Sequence, residues 1–255
     1  MYPRPVCILD KIGRWAFLEQ VCITSDVLIW ESVTLRVLVH FALCPFSRKI
    51  RIQLVEKDLK FELFEENPYL KSDELTGANP AGEVPVLVDG EAQIIDSRAI
   101  ADYLDERYPE TSCMPRLPDD RAECRRLVAW FDNKFYREVT EPLFREQIVK
   151  MVMRSGNPEG KYLRVAQENL RSHLGYHDQL VGHHNWMLGN NLTQADIAAA
   201  AQFSTLDYLG VVPWNEFPHA KEWYARIKSR PSFRPILQDF LRGRPPGPNY
   251  VNLDF

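Results

Sequence analysis

The hydrophobic pattern divides the chain into two unlike halves. In the first, short apolar runs alternate with turn residues. "LRVLVH" (residues 35–40) reads as a buried strand, because the branched side chains of Val37 and Val39 suit a pleated surface. Pro45 then opens a helix at the position where a missing N–H costs nothing, with Ile50, Ile52, Leu54 and Val55 as its apolar face. "KFELFE" alternates as a second strand that turns Phe61, Leu63 and, less cleanly, Phe64 inward. A loop with Pro68 and Gly77 precedes "EVPVLVDGEAQII", a hairpin pattern with Asp89-Gly90 as its two-residue turn. "DSRAIADYLDERY" closes the half as a short amphipathic helix with Asp96 as N-cap. A βαβ unit, a hairpin and a helix predict a small α/β domain over residues 34–109.

The second half changes period. "PETSCMPRLPDD" holds three prolines and reads as a linker, residues 110–120. From Arg121 to Arg242 the pattern is helical: Leu127, Trp130, Phe131, Phe135 and Val139 recur at helical spacing, as do Leu170, Leu174 and Leu180. This predicts an all-α domain over 121–242. "GRPPGPNYVNLDF" (243–255) is a proline-rich tail that cannot start as helix.

Composition narrows the class. The chain has 255 residues, 45% apolar and 26% charged, as ordinary globular proteins do. Its net charge of −4 gives no reason to expect nucleic acid as partner. The five cysteines (7, 22, 44, 113 and 124) include no CxxC pair, which speaks against a disulfide framework or zinc cluster and for a reducing cytoplasm. "DVLIWESVTLRVLVHFALCPF" is broken by Glu31, Arg36 and His40, so no membrane span is expected, and the N-terminus lacks the apolar core of a secretory signal.

Several residues are candidates for chemistry. Cys44 stands at a helix N-terminus beside Arg48 and Lys49, and both the helix dipole and the cations favour a nucleophilic thiolate. An inert cysteine at a cap position is the other reading, and both stand at this point. Pro85 in "AGEVPVL" reads on its own as an edge-strand proline, since cis bonds make up only ~5% of X–Pro bonds. Asp96-Ser97 opens a helix whose free N–H groups suit a carboxylate, although capping alone accounts for the pair. "NLTQADI" is a capping signal around Thr193 and Asp196 that serves stability. His173 and His177 have metal-pair spacing but no third ligand, so a solvated helix face is expected and no metal. Trp130, Trp186, Trp214 and Trp223 are expected in the core.

The order of these signals is more specific than any one of them. "CPFSRKIR", "NPAGEVPVL", "DSRAIADYL", "LTQADIAAAA" and "FPHAKEWYARIKSRPSF" together resemble the glutathione S-transferase family, from about Thr34 to Phe240. The resemblance implies a thioredoxin-like N-terminal domain, an α-helical C-terminal domain and a homodimer. It implies that Cys44 matches the residue that activates or bonds glutathione, with "CPF" nearest to omega-type members. Val84 and Pro85 match the cis-proline element that grips the cysteinyl backbone, and Asp96 and Ser97 match the pair that holds the γ-glutamyl group. Glutathione is thereby implied as a substrate.

"WFDNKFYREVT", "TLDYLG" and the tail "RGRPPGPNYVNLDF" resemble one alphaproteobacterial subgroup more closely. In that subgroup the fold binds filaments of the tubulin-like division protein FtsZ at midcell and couples them to septal wall synthesis. The implied partner is FtsZ, with Tyr250, Leu253, Asp254 and Phe255 as candidate contacts; a tail folded back as a seal is the other reading. Cys44 departs from the non-cysteine residue expected in this subgroup, which keeps a glutathione-dependent transferase or thiol transferase in play. Residues 1–33 match neither resemblance and read as a disordered extension or an over-extended gene start.

Overall fold

Alternate residues of the central strands face two different cores, and this explains their unbroken apolar runs. The computed structural model describes residues 36–253, together with the backbone of β1 (Val6–Leu9) and β2 (Trp15–Leu18), which pair antiparallel. The expectation for residues 1–33 otherwise lies outside the described residues, as do Asp254 and Phe255.

The N-terminal domain runs β3 (Arg36–His40), α1 (Pro45–Glu56), β4 (Glu62–Glu65), α2 (Asp73–Ala78), β5 (Val86–Asp89), β6 (Ala92–Ile95) and α3 (Ser97–Arg107). Its sheet has the order β4-β3-β5-β6, with β3–β4 parallel and the other pairs antiparallel. Leu38 and Leu87 pack against Ile50 and Leu54 of α1 and Ile100 and Leu104 of α3. Val37, Val39, Val86 and Val88 face the opposite way, into the large core shared with the helical half. Strands covered on both faces read as continuous rather than alternating apolar runs.

Two details differ from the sequence reading. Leu63 is exposed, because β4 is an edge strand with a neighbour on one side only; Phe64 and Phe61 pack inward instead. The hairpin turn is Gly90-Glu91, one residue later than expected, since Asp89 still pairs with Ala92. Gly90 takes the positive φ of 62° there. Asp89 is held in the strand by Arg36, Tyr103 and Tyr108, which all reach its carboxylate.

The linker is not a solvated loop. Cys113 and Met114 are buried, and the Cys113 carbonyl accepts from the Gln194 N–H at 2.8 Å. The helical domain begins at Pro118, earlier than Arg121, with α4 (Pro118–Ala129). It continues with hardly a break through a π-helical stretch (Trp130–Thr140), α5 (Glu141–Phe144), a second π stretch (Arg145–Val149) and α6 (Lys150–Met153). Pro142 lies between the two wide stretches; it has no N–H to extend an ordinary helical ladder. Then follow α7 (Gly160–Val181), α8 (Gln194–Tyr208), α9 (Pro218–Lys228) and α10 (Arg234–Leu237).

α8 is buried along its whole length and is the strut between the domains. The Asp196 carboxylate stitches its start, accepting from the Met187 and Thr193 N–H groups and the Trp223 indole. Trp186, Trp214 and Trp223 are buried and Trp130 half-buried.

His173 and His177 correct the solvated-face expectation: both are buried. They continue the stripe Ala166, Leu170, Leu174 and Val181 that α7 turns inward. His173 meets Glu138 at 2.9 Å, whereas His177 lies edge-on to Phe131 and Trp223 and tilted against Phe203. Among the described residues no helix is long and apolar enough to cross a membrane, and no cluster of side chains has metal-holding geometry.

Candidate functional site

The site is assembled from three turns of the N-terminal domain. The first joins β3 to α1. Cys44 is the N-cap residue of α1, in extended conformation, with Pro45 behind it as the first helical residue. The Cys44 N–H donates to the Phe41 carbonyl at 3.0 Å, and the Phe41 N–H reaches the Ser47 hydroxyl at 3.3 Å.

The second turn is the cis Val84-Pro85 bond, just before β5, as the family resemblance implied. The Cys44 Sγ lies 3.9 Å from the Val84 carbonyl oxygen, so these two turns touch. The third is the start of α3. Asp96 caps it from a left-handed φ of 70°, accepting from the N–H groups of Arg98 at 2.7 Å and Ala99 at 3.2 Å. Val84, Pro85, Asp96 and Ser97 line one cleft of about 430 Å³. Four of the five residues singled out for glutathione thus share a cleft, and Cys44 adjoins it through Val84.

At Cys44 burial opposes the helix dipole and the cations that favour a thiolate. Burial pushes its thiol up from the ordinary value, against hydrogen bonds from the Ser47 and Phe46 N–H groups and the Ser47 hydroxyl, and against the charge of Arg48. Burial thus works against the thiolate, and the neighbouring cations, although Arg48 still opposes it, are themselves ion-paired. Lys49 is ion-paired with Asp132 at 2.6 Å, and Arg48 with Asp239 at 3.0 Å. Cys44 keeps partial exposure, whereas Cys113 and Cys124 are buried and their thiols are raised to about 12 and about 11.

Sequence reasoning missed Asn79, Glu83, Arg98 and Asp132 in the cleft wall. Asp132 comes from the helical domain and is held there by Lys49. No local pattern announces a pair 83 residues apart.

The tail is placed differently from the partner-facing expectation. Tyr250 is fully buried: its hydroxyl accepts from Arg48 at 2.8 Å and donates to the Ile236 carbonyl at 2.5 Å, and its ring meets Tyr208 edge-on. Tyr250 is therefore an anchor and not a contact open to a partner. Lys228 Nζ donates to the carbonyls of Asn249 and Asn252. Val251 beside it is exposed and Leu253 half-buried.

A parallel–antiparallel sheet with a cis-proline turn, docked on an all-α domain through α8, defines the class, and the chain belongs to the glutathione S-transferase family. Models of that family's N-terminal and C-terminal domains match residues 38–112 and 144–238. The chain is 43% identical to FtsZ-localized protein A of Caulobacter vibrioides, over 86% of this chain and 98% of that protein. The solved structure of FzlA from C. crescentus superposes with a TM-score of 0.84 over 86% of this chain and 99% of that one. A glutathione S-transferase from Rhodospirillum rubrum F11 superposes equally well, with a TM-score of 0.84 and 47% identity, covering 86% of this chain and all of that one.

Proposed function

We propose that this chain is a transferase-fold scaffold of bacterial cell division: a cytoplasmic homodimer that binds FtsZ filaments at midcell and couples them to septal wall synthesis. The observation that carries this reading is the 43% identity to FtsZ-localized protein A, which extends over nearly the whole of that protein. The state of Cys44 supports it. A thiol raised by burial is protonated at neutral pH and attacks poorly. Binding a filament asks nothing of that thiol.

The decisive experiment is co-sedimentation of the full chain with GTP-assembled FtsZ. The chain is expected to pellet with polymer and to stay in the supernatant without GTP; absence from the polymer pellet overturns the reading.

One observation favours a second reading, glutathione-dependent thiol transfer with Cys44 as nucleophile: the thiol sits against Val84 at the edge of a cleft that also holds Pro85, Asp96 and Ser97. The Val84 backbone, the Asp96 carboxylate and the Ser97 hydroxyl at a helix N-terminus form a donor and acceptor set that fits a peptide with both an ammonium and a carboxylate. Titration calorimetry with glutathione separates the readings. Millimolar affinity or none accords with the scaffold, and micromolar affinity with turnover replaces it.

A further inference from the structure

Arg48 is fully buried and joins the Cys44 turn to three partners that lie 156 to 202 residues further along the chain. Its Nε donates to the Ala42 carbonyl at 2.8 Å, within the turn that carries Cys44. Its Nη1 donates to the Ser204 hydroxyl of α8 at 3.0 Å. Its Nη2 reaches both Asp239, just beyond α10, at 3.0 Å and the Tyr250 hydroxyl in the tail at 2.8 Å. Its own backbone N–H donates to the Cys44 carbonyl at 3.0 Å.

We propose that Arg48 is a positioning residue that couples the docked state of the C-terminal tail to the conformation of the Cys44 turn. The physical ground is the guanidinium itself. Its donors lie in one rigid planar fork, so a shift made to recover a lost partner on one side moves the donors on the other. Here the fork holds the tail by Nη2 and the Cys44 turn by Nε. A buried donor left without an acceptor is costly, so the fork has reason to move when Tyr250 leaves. Arg51 also pairs with Asp239 at 2.9 Å, which keeps that carboxylate in place and directs the rearrangement towards Ala42.

The coupling is reciprocal. Whatever draws the tail off the helical domain alters the cleft at Cys44, and a cleft ligand that displaces the Cys44 turn loosens the tail. The device thus links a surface segment to the cleft without any change in the fold. It stands on the geometry of Arg48 alone and holds whether or not FtsZ is the partner.

The test is the alkylation rate of each cysteine in the full chain carrying Tyr250→Phe, resolved by peptide mass spectrometry with iodoacetamide. The substitution keeps the ring and removes the hydroxyl. Cys44 is expected to react about fivefold faster, the scale of one hydrogen bond. The rates of Cys113 and Cys124 are expected to stay unchanged. An unchanged or slower Cys44, or an equal rise at all three cysteines, overturns the coupling, because general loosening exposes every thiol. Hydrogen exchange of the unsubstituted chain is a second readout that needs no variant. The Cys44 and Tyr250 amides are expected to open together, and tail opening that leaves the Cys44 amide protected overturns the proposal.

Discussion

Gly247 rests directly on Gly210: a Cβ placed on Gly247 would lie 2.6 Å from the Gly210 Cα and 2.8 Å from the Asp207 carbonyl oxygen. The approach lets the Gly247 N–H donate to the Tyr208 carbonyl at 2.8 Å, so the tail finishes the hydrogen bonding at the C-terminal end of α8. Gly210 itself sits at φ 71°, a conformation that favours glycine. The two glycines form a notch through which the tail is threaded.

Gly247→Ala is accordingly expected to destabilise the chain by about 1–3 kcal/mol, as overpacking against backbone does. Urea unfolding of variant and parent measures it. Gly77→Ala is the control, because an added Cβ there meets nothing. If both variants unfold at the same midpoint, the notch does not hold the tail.

The Cys44 thiol makes a prediction with a definite sign. Because burial raises its pKa, the fraction of thiolate is small at pH 7, and the alkylation rate is expected to rise with pH without levelling off by the ordinary thiol value of 9. Exposure still makes Cys44 faster than Cys113 and Cys124. A rate profile that levels off below pH 7 contradicts this electrostatic picture. Cys44→Ser is expected to leave FtsZ co-sedimentation unchanged.

These residues also show how much of the fold was legible in the sequence. The Cys44 N-cap and the Asp96 cap followed from local order, and the Val84-Pro85 cis bond from family resemblance alone. What escaped depends on distance along the chain. His173 and His177 looked solvated because imidazole counts as polar, yet their spacing from Leu170 and Leu174 places them on the inward stripe. Arg48 and Lys49 looked like free activators of Cys44 because the partners that share their charge, Asp239 and Asp132, lie outside the N-terminal domain. Tyr250 could be read as a partner contact or as part of a folded-back seal, and no pattern near it names Arg48 to decide between them.

Deleting Asn249–Phe255 tests the seal against the docking element. Tyr250 is fully buried, and removing a large core side chain together with its hydrogen bond to a charged group costs roughly 3 kcal/mol. The truncated chain is expected to unfold at lower urea concentration, to sediment in the same oligomeric state as its parent, and to support division poorly. Normal division with a clear stability loss would assign the tail to structure alone.

His177 supplies the pH dependence of stability. Burial without a charged partner lowers its pKa from 6.5 to about 3, and burial lowers His40 to about 4. Between these values and 6.5 the unfolded chain binds more protons than the folded one, so stability falls as pH drops through that window. For His177 alone the loss from pH 7 to pH 4 is roughly 3 kcal/mol, since stability changes by about 1.4 kcal/mol for each pH step over which only the unfolded chain holds the proton. His177→Leu removes this contribution and leaves that of His40. The variant is expected to be less sensitive to acid than its parent, even though trimming a ring packed between Phe131, Phe203 and Trp223 costs stability at pH 7. Urea unfolding of both proteins at pH 7, 5.5 and 4 measures the slopes. Equal slopes would mean that His177 takes up its proton without unfolding, and that the aromatic box admits a charge.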